Sequence, residues 1–183
     1  MADRVIDPQQ TEVPEMDDLL QRLLQYLVRE ARGRMEADQG FAPFVGVAVK
    51  DALVLEEIEG EEPDDVYRMA KHTVEGTRGA QAYGLCYDGY IDTDDGQRDA
   101  IIAEGGMAGQ PEGYAICLLY DADPEKGTFN FIPPLSYVGM APNFMAFLTD
   151  DAPASASYDD EELQADDVED EEVATQESDE QDN

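Results

Sequence analysis

The chain is 183 residues long and carries 44 Asp plus Glu against 11 Lys plus Arg, a formal net charge of −33 at pH 7. Polyphosphate backbones are bound through Lys and Arg that displace condensed counterions, so this composition excludes direct binding of nucleic acid. No apolar run approaches the roughly 20 residues that cross a bilayer, and the opening MADRVIDPQQ is too polar for a signal peptide, so the expected location is cytoplasmic.

The charge is unevenly placed. Residues 150–183 hold 16 of the 44 acids and no basic residue, which leaves net −17 for residues 1–149. Tyr158, Leu163, Val168 and Val173 are too sparse to offset the roughly 1–2 kcal/mol per residue that ordering the backbone costs. The expected organisation is therefore a flexible N-terminal arm (1–13), one α+β domain (14–148) and a disordered acidic tail (149–183). In the body, Lys is confined to Lys50, Lys71 and Lys126 while Arg occurs eight times between Arg4 and Arg98. Abundant Asp with scarce Lys points to adaptation to high intracellular salt, where screening relieves the self-repulsion of a compact acidic chain.

From Pro14 onward, Met16, Leu19, Leu20, Leu23, Leu24, Leu27, Val28, Ala31 and Met35 recur at three- and four-residue steps, one broad stripe of an α-helix that Gly33 or Gly40 ends. Glu15, Asp17 and Asp18 suit its positive end, and Arg29, Arg32 and Arg34 its negative end. Phe41–Val49 and Leu53–Ile58 read as a hairpin turning at Lys50-Asp51-Ala52, with the ladder starting after Pro43, which has no amide hydrogen. Asp64–Glu75 reads as a second amphipathic helix, its stripe formed by Val66, Met69, Ala70, Thr73 and Val74. Along Ala80–Ile91, Tyr83, Leu85 and Tyr87 share one face and Ala82, Gly84 and Cys86 the other, so the first helix is expected on the small face. Strands follow at Arg98–Gly105, Tyr114–Tyr120 and Thr128–Ile132, the last closed by Pro133-Pro134, with Leu135–Leu148 an apolar coda. The fold class is α+β: two amphipathic helices packed on one mainly antiparallel sheet of about five to six strands.

Phe41-Ala42-Pro43-Phe44, then Asp99-Ala100-Ile101 with Glu104 beyond it, then Gly113-Tyr114-Ala115 followed by Tyr120 resemble a group of small uncharacterised bacterial α+β domains. In that group a helix leads into an F-x-P-F hairpin, a second helix follows, and strands bearing D-A-I…E and G-x-A…Y complete the sheet. The resemblance spans roughly residues 15–138 and implies the fold; it carries over no activity and no catalytic residue. This chain departs from the pattern in lacking Pro before Tyr120 and in adding the acidic tail.

The densest candidate for chemistry is the acidic run Asp88, Asp92, Asp94, Asp95, Asp99 and Glu104 around Gly96. Crowded carboxylates suit a hard cation such as Ca²⁺, but counting from Asp92 as the first position of a Ca²⁺ loop brings Gly96 one place early and puts Ala103 where the closing Glu belongs. A polar hairpin turn accounts for Asp94-Asp95-Gly96 equally well. Asp99 and Glu104 lie an odd number of positions apart on one strand, so they face opposite ways and cannot flank a scissile bond. Cys86 and Cys117 fall in apolar strands, His72 on the polar side of the second helix, and no phosphate loop or nucleophile elbow occurs. Gly105-Gly106-Met107-Ala108-Gly109 reads as a turn. Tyr83, Tyr87, Tyr90, Phe129, Phe131, Tyr137 and Phe144 offer an aromatic recognition surface, with core packing the competing use.

The expected function is a non-enzymatic protein–protein interaction module, adaptor or immunity-like, with a protein partner and no cofactor, catalytic set or metal site assigned. A nucleic-acid mimic that inhibits a basic protein and a cation-dependent enzyme built on Asp88–Glu104 are the alternatives. If the charge is a salt adaptation, the melting temperature followed by circular dichroism rises with KCl into the molar range; a flat or falling melting temperature contradicts it.

Overall fold

The computed structural model describes residues 4–5, 15–38, 40–60 and 62–148. The expected disordered tail and most of the expected arm lie outside the described residues. Within the arm, Arg4–Val5 forms a short strand, β1. Helix α1 spans Asp18–Asp38. Asp17 caps it: its side chain accepts the Leu19 N–H at 2.8 Å and its carbonyl the Gln21 N–H at 2.9 Å, satisfying donors that have no partner inside the helix. Pro14 lies outside the described residues. The helix passes straight through Gly33, around which the space a Cβ would occupy is open. The three arginines stop short of the last turn and hold carboxylates or rings instead: Arg32 on Glu36, Arg34 on Glu30 and Glu57, Arg29 over Tyr26.

Strands β2 (Phe44–Val49) and β3 (Ala52–Glu57) form the expected hairpin, joined by Lys50-Asp51 with Lys50 at φ 53°. The ladder does begin after Pro43, whose carbonyl accepts the Ile58 N–H at 2.7 Å. Helix α2 spans Pro63–Gly76. Its buried stripe is Val66, Ala70 and Val74 with Tyr67 half-buried; Met69, expected inside, is exposed. Then come β4 (Ala80–Thr93), β5 (Gly96–Met107), β6 (Gly113–Asp123) and β7 (Thr128–Ala141).

The strands hydrogen-bond in the order β3-β2-β4-β5-β6-β7, antiparallel throughout, while β1 adds to β4 in parallel at Ile91 and Asp92. The expected stop at Pro133-Pro134 does not occur, and β7 runs on to Ala141. Its register against β6 jumps between Cys117↔Ser136 and Leu119↔Ile132, so both prolines fall in a bulge on an edge strand, where no ladder donor is required of them.

The two helices lie on opposite faces of the sheet. One core joins Leu20, Leu23, Leu24, Leu27, Ala31 and Met35 of α1 to Phe44, Ala48, Ala82, Cys86, Ile101 and Ala103. The other joins Val66, Ala70 and Val74 of α2 to Val45, Val47, Tyr83, Leu85, Tyr87 and Ile102, with Met145 closing it. The small face of β4 is indeed where α1 lies. Gly46, Gly84 and Gly105 stand opposite one another across β2, β4 and β5; Leu27 settles over Gly46 and Gly84 and Leu24 over Gly84, while a Cβ on Gly105 would collide with the β4 backbone at Tyr83 and Gly84. A Cβ on Gly84 would come within 2.5 Å of Leu27 and 2.9 Å of Leu24.

This close seating makes Gly84→Ala an overpacking change, expected to lower the unfolding free energy by about 1–3 kcal/mol in urea titrations. Gly33→Ala, with open space around it, is expected to raise it by about 0.5–1 kcal/mol through reduced backbone entropy in the unfolded chain.

Candidate functional site

The acidic run from Asp88 to Glu104 becomes the β4–β5 hairpin. Thr93 pairs with Gly96 and leaves Asp94 and Asp95 as an exposed two-residue tip, braced by the Thr93 hydroxyl donating to the Gly96 carbonyl at 2.7 Å. Strand alternation then divides the other carboxylates. Asp88 and Asp99 share the α1 side with Ala82, Cys86, Ile101 and Ala103, whereas Glu104 shares the α2 side with Ala100 and Ile102. Asp92 sits half-buried near the hairpin end, its backbone alongside β1. A Ca²⁺ site needs about six to eight oxygens converging on one point. Among the described residues no group of three or more His, Cys, Asp or Glu side chains converges in this way.

Two polar clusters emerge instead. On the α1 side, the Tyr120 hydroxyl donates to Asp88 Oδ1 at 2.7 Å. Burial raises the Asp88 carboxyl above the ordinary carboxylate range; the Tyr120 hydrogen bond opposes this and the neighbouring charge of Asp99 adds to it. Burial, followed by the bond to Asp88, pushes the Tyr120 phenol up as well, so it remains a donor at neutral pH.

On the α2 side, Glu104 is only 3% exposed, and among the described residues it is the buried charged side chain. Tyr87 donates to Glu104 Oε2 at 3.1 Å, and the Tyr67 hydroxyl lies 3.5 Å from that of Tyr87. Burial first, then the Glu104 charge, holds the Tyr67 phenol protonated. The cluster is sealed by the segment after β7. Phe144 stacks on Tyr83 at 4.9 Å between ring centroids and meets Tyr67 edge-on at 6.3 Å. The Tyr83 hydroxyl donates to the Pro142 carbonyl and accepts the Phe144 N–H, and Asn143 donates to the carbonyls of Met107 and Gln110. The Tyr87 hydroxyl donor satisfies the buried Glu104 carboxyl group. The signal for it in the sequence was a single Glu inside the run Ile101-Ile102-Ala103-Glu104-Gly105-Gly106.

The cysteines are buried on opposite faces of strands separated by β5, so they cannot approach each other. The Cys86 thiol donates to the Leu27 carbonyl at 3.7 Å and burial drives its pKa upward; burial pushes Cys117 up to about 11. His72 is exposed on α2. The expected aromatic surface is mostly core: Tyr83 and Tyr87 are buried, Phe129, Phe131, Tyr137 and Phe144 half-buried, and Tyr90 alone of this set is exposed.

Apolar exposure is scattered: Phe147 is the most exposed of the large apolar side chains, Leu135 and Met140 are exposed on β7, and an adjacent pair is exposed on β3. Leu53 and Val54 are exposed on this strand, and Met69 is exposed on α2, one turn from Thr73, whose hydroxyl donates to Glu56 of β3. Among the described residues β3 pairs with β2 alone, so its outer edge is free. From Asp51 to Asp65 the sequence around this edge holds eight acids and no Lys or Arg.

A raised folded-state pKa at Asp88 means that the folded chain binds a proton more tightly than the unfolded chain, so its contribution to stability falls as pH climbs from the ordinary value of about 4 through the raised one. Asp88→Asn keeps the oxygen that accepts from Tyr120 and removes the titration. It is expected to raise the urea midpoint at pH 7 and to flatten the decline across that window; an unchanged pH profile would assign the decline to other groups.

No protein-family model, no curated protein and no solved structure matches the chain.

Proposed function

We propose that this chain is a non-enzymatic protein–protein interaction module, adaptor or immunity-like, whose partner presents a basic surface. The observation that carries the reading is the setting of β3: exposed Leu53 and Val54 on a free strand edge, surrounded by eight acids and no basic residue between Asp51 and Asp65. Apolar side chains supply buried contact area once a partner covers them, and the carboxylates steer a cationic surface toward them while repelling anionic ones. The polar groups in the interior support the same reading. Glu104 with Tyr87 and Asp88 with Tyr120 form separate hydrogen-bonded pairs on opposite faces of the sheet, and the cysteines sit buried with raised thiol pKa values, which favours stability over reactivity.

Affinity capture with the immobilised full chain is expected to recover a stoichiometric protein rich in Lys and Arg. Its affinity should weaken by about tenfold or more between 0.1 and 1 M KCl, as the Debye length shrinks from about 10 to 3 Å. The double variant Glu59→Lys, Glu62→Lys should weaken capture further at low salt. Recovery of no stoichiometric partner, or of an acidic one, contradicts the reading.

A further inference from the structure

We infer that β3 is itself the docking element, and that the partner supplies an extended, basic segment that hydrogen-bonds along its outer edge as an added strand. This rests on the protein-binding reading above and specifies its mode.

The backbone geometry assigns the free groups. Val49 and Ala52 close a two-residue loop, so they exchange both hydrogen bonds of their pair, and this pattern recurs at every second position of an antiparallel ladder. Val47↔Val54 and Val45↔Glu56 are then also bonded pairs, and the bond from the Ile58 N–H to the Pro43 carbonyl keeps the same phase. Ala52, Val54 and Glu56 therefore direct their backbone groups inward to β2. Leu53, Leu55 and Glu57 direct theirs outward, a row of three donors and three acceptors at the spacing an incoming strand matches.

The other edge of the sheet is built differently. On β7, Pro133 and Pro134 lack amide hydrogens, the register breaks twice, and Gly139 stands at φ 143°. Prolines and bulges of this kind prevent edge-to-edge pairing. Strand β3 carries neither: its register runs unbroken from Phe44↔Glu57 to Val49↔Ala52, with no proline and with Leu53, Val54 and Leu55 in succession. Only its charge restricts what can pair there. Glu56 and Glu57 lie on the strand, with Asp51 and Glu59 flanking it. A second copy would bring an edge of the same negative charge alongside, which like-charge repulsion opposes. A segment alternating Lys or Arg with apolar residues meets both demands on opposite faces, placing its apolar side chains beside Leu53 and Leu55 on one face and its cations beside Glu56 on the other.

The test uses the full chain and a synthetic peptide of about eight residues alternating valine and lysine, a length typical of one strand. A second peptide of the same sequence is N-methylated at alternate residues, which keeps its charge and removes its donors. Fluorescence anisotropy should give binding to the first and at least about tenfold weaker binding to the second, the effect of losing one or two net hydrogen bonds. Leu55→Pro removes an outward N–H without touching a ladder donor and should cause a similar loss. In amide hydrogen exchange on the wild-type chain, the peptide should protect Leu53, Leu55 and Glu57 and leave Ala52, Val54 and Glu56 unchanged. This measurement decides the matter if the proline variant does not fold. Equal affinity for both peptides, with no new protection at the outward amides, overturns strand addition and leaves the basic-partner reading standing. No binding of either peptide, together with a failed affinity capture, removes both. Protection of the same amides by self-association, without peptide, overturns the basic segment as occupant in favour of a second copy.

Discussion

The architecture depends on how closely α1 approaches the sheet. Gly46, Gly84 and Gly105 align across three adjacent strands, and at Gly46 and Gly84 the side chains of Leu27 and Leu24 occupy the volume that Cβ atoms would have taken. Interiors are packed near crystal density, so a trough without side chains on one face must be filled by large side chains from the element above it. The leucine stripe of α1 does this. The same alternation that places Ala82, Gly84 and Cys86 under α1 sends Tyr83, Leu85 and Tyr87 to the other face, where the short α2 and residues 142–148 cover them. Three layers follow from the side-chain sizes along one strand.

Charge is handled by position. The described acids lie at the surface or half-buried, with Glu104 the exception, and that exception is matched to phenol donors. Where basic residues occur they are used structurally. Arg34 lies over the Phe44 ring at 4.4 Å and reaches Glu30 on α1 and Glu57 on β3, joining helix, core and edge. Exposed pairs such as Lys126 with Asp123 contribute little. The remaining carboxylates far outnumber the available cations, so the surface carries a net negative charge.

The two edges of the sheet embody opposite treatments of the same physical hazard. An unpaired edge is a template for any strand, and β7 is blunted by prolines, bulge and glycine. Strand β3 keeps a regular ladder and apolar side chains, guarded by like charge alone. Electrostatic guarding discriminates by partner, whereas steric guarding excludes all of them.

Both helices, the hairpin at Lys50-Asp51 and strands β2 to β7 were legible in the sequence, because period 3.6 and period 2 are local properties of side-chain order and Pro43 and the turn residues mark their limits; β1, two residues inside the expected flexible arm, was not. The side of β4 that receives α1 was legible too, since Gly84 between Ala82 and Cys86 announces a close approach. What lay beyond local pattern was decided by pairing. The continuation of β7 past Pro133-Pro134 depends on β6 tolerating a bulge opposite Leu118. The separation of Cys86 from Cys117 depends on β5 entering between their strands. The division of Asp88 and Asp99 from Glu104 follows from parity, which the sequence contains, but the burial of Glu104 and its tyrosine partners depends on α2 and the Phe144 segment folding over that face. The freedom of the β3 edge depends on strand order. Sequence determined which elements form and which of their faces are apolar, because those depend on neighbours along the chain; tertiary structure alone decided which edges stay open and which acids are enclosed, because those depend on neighbours brought together from afar.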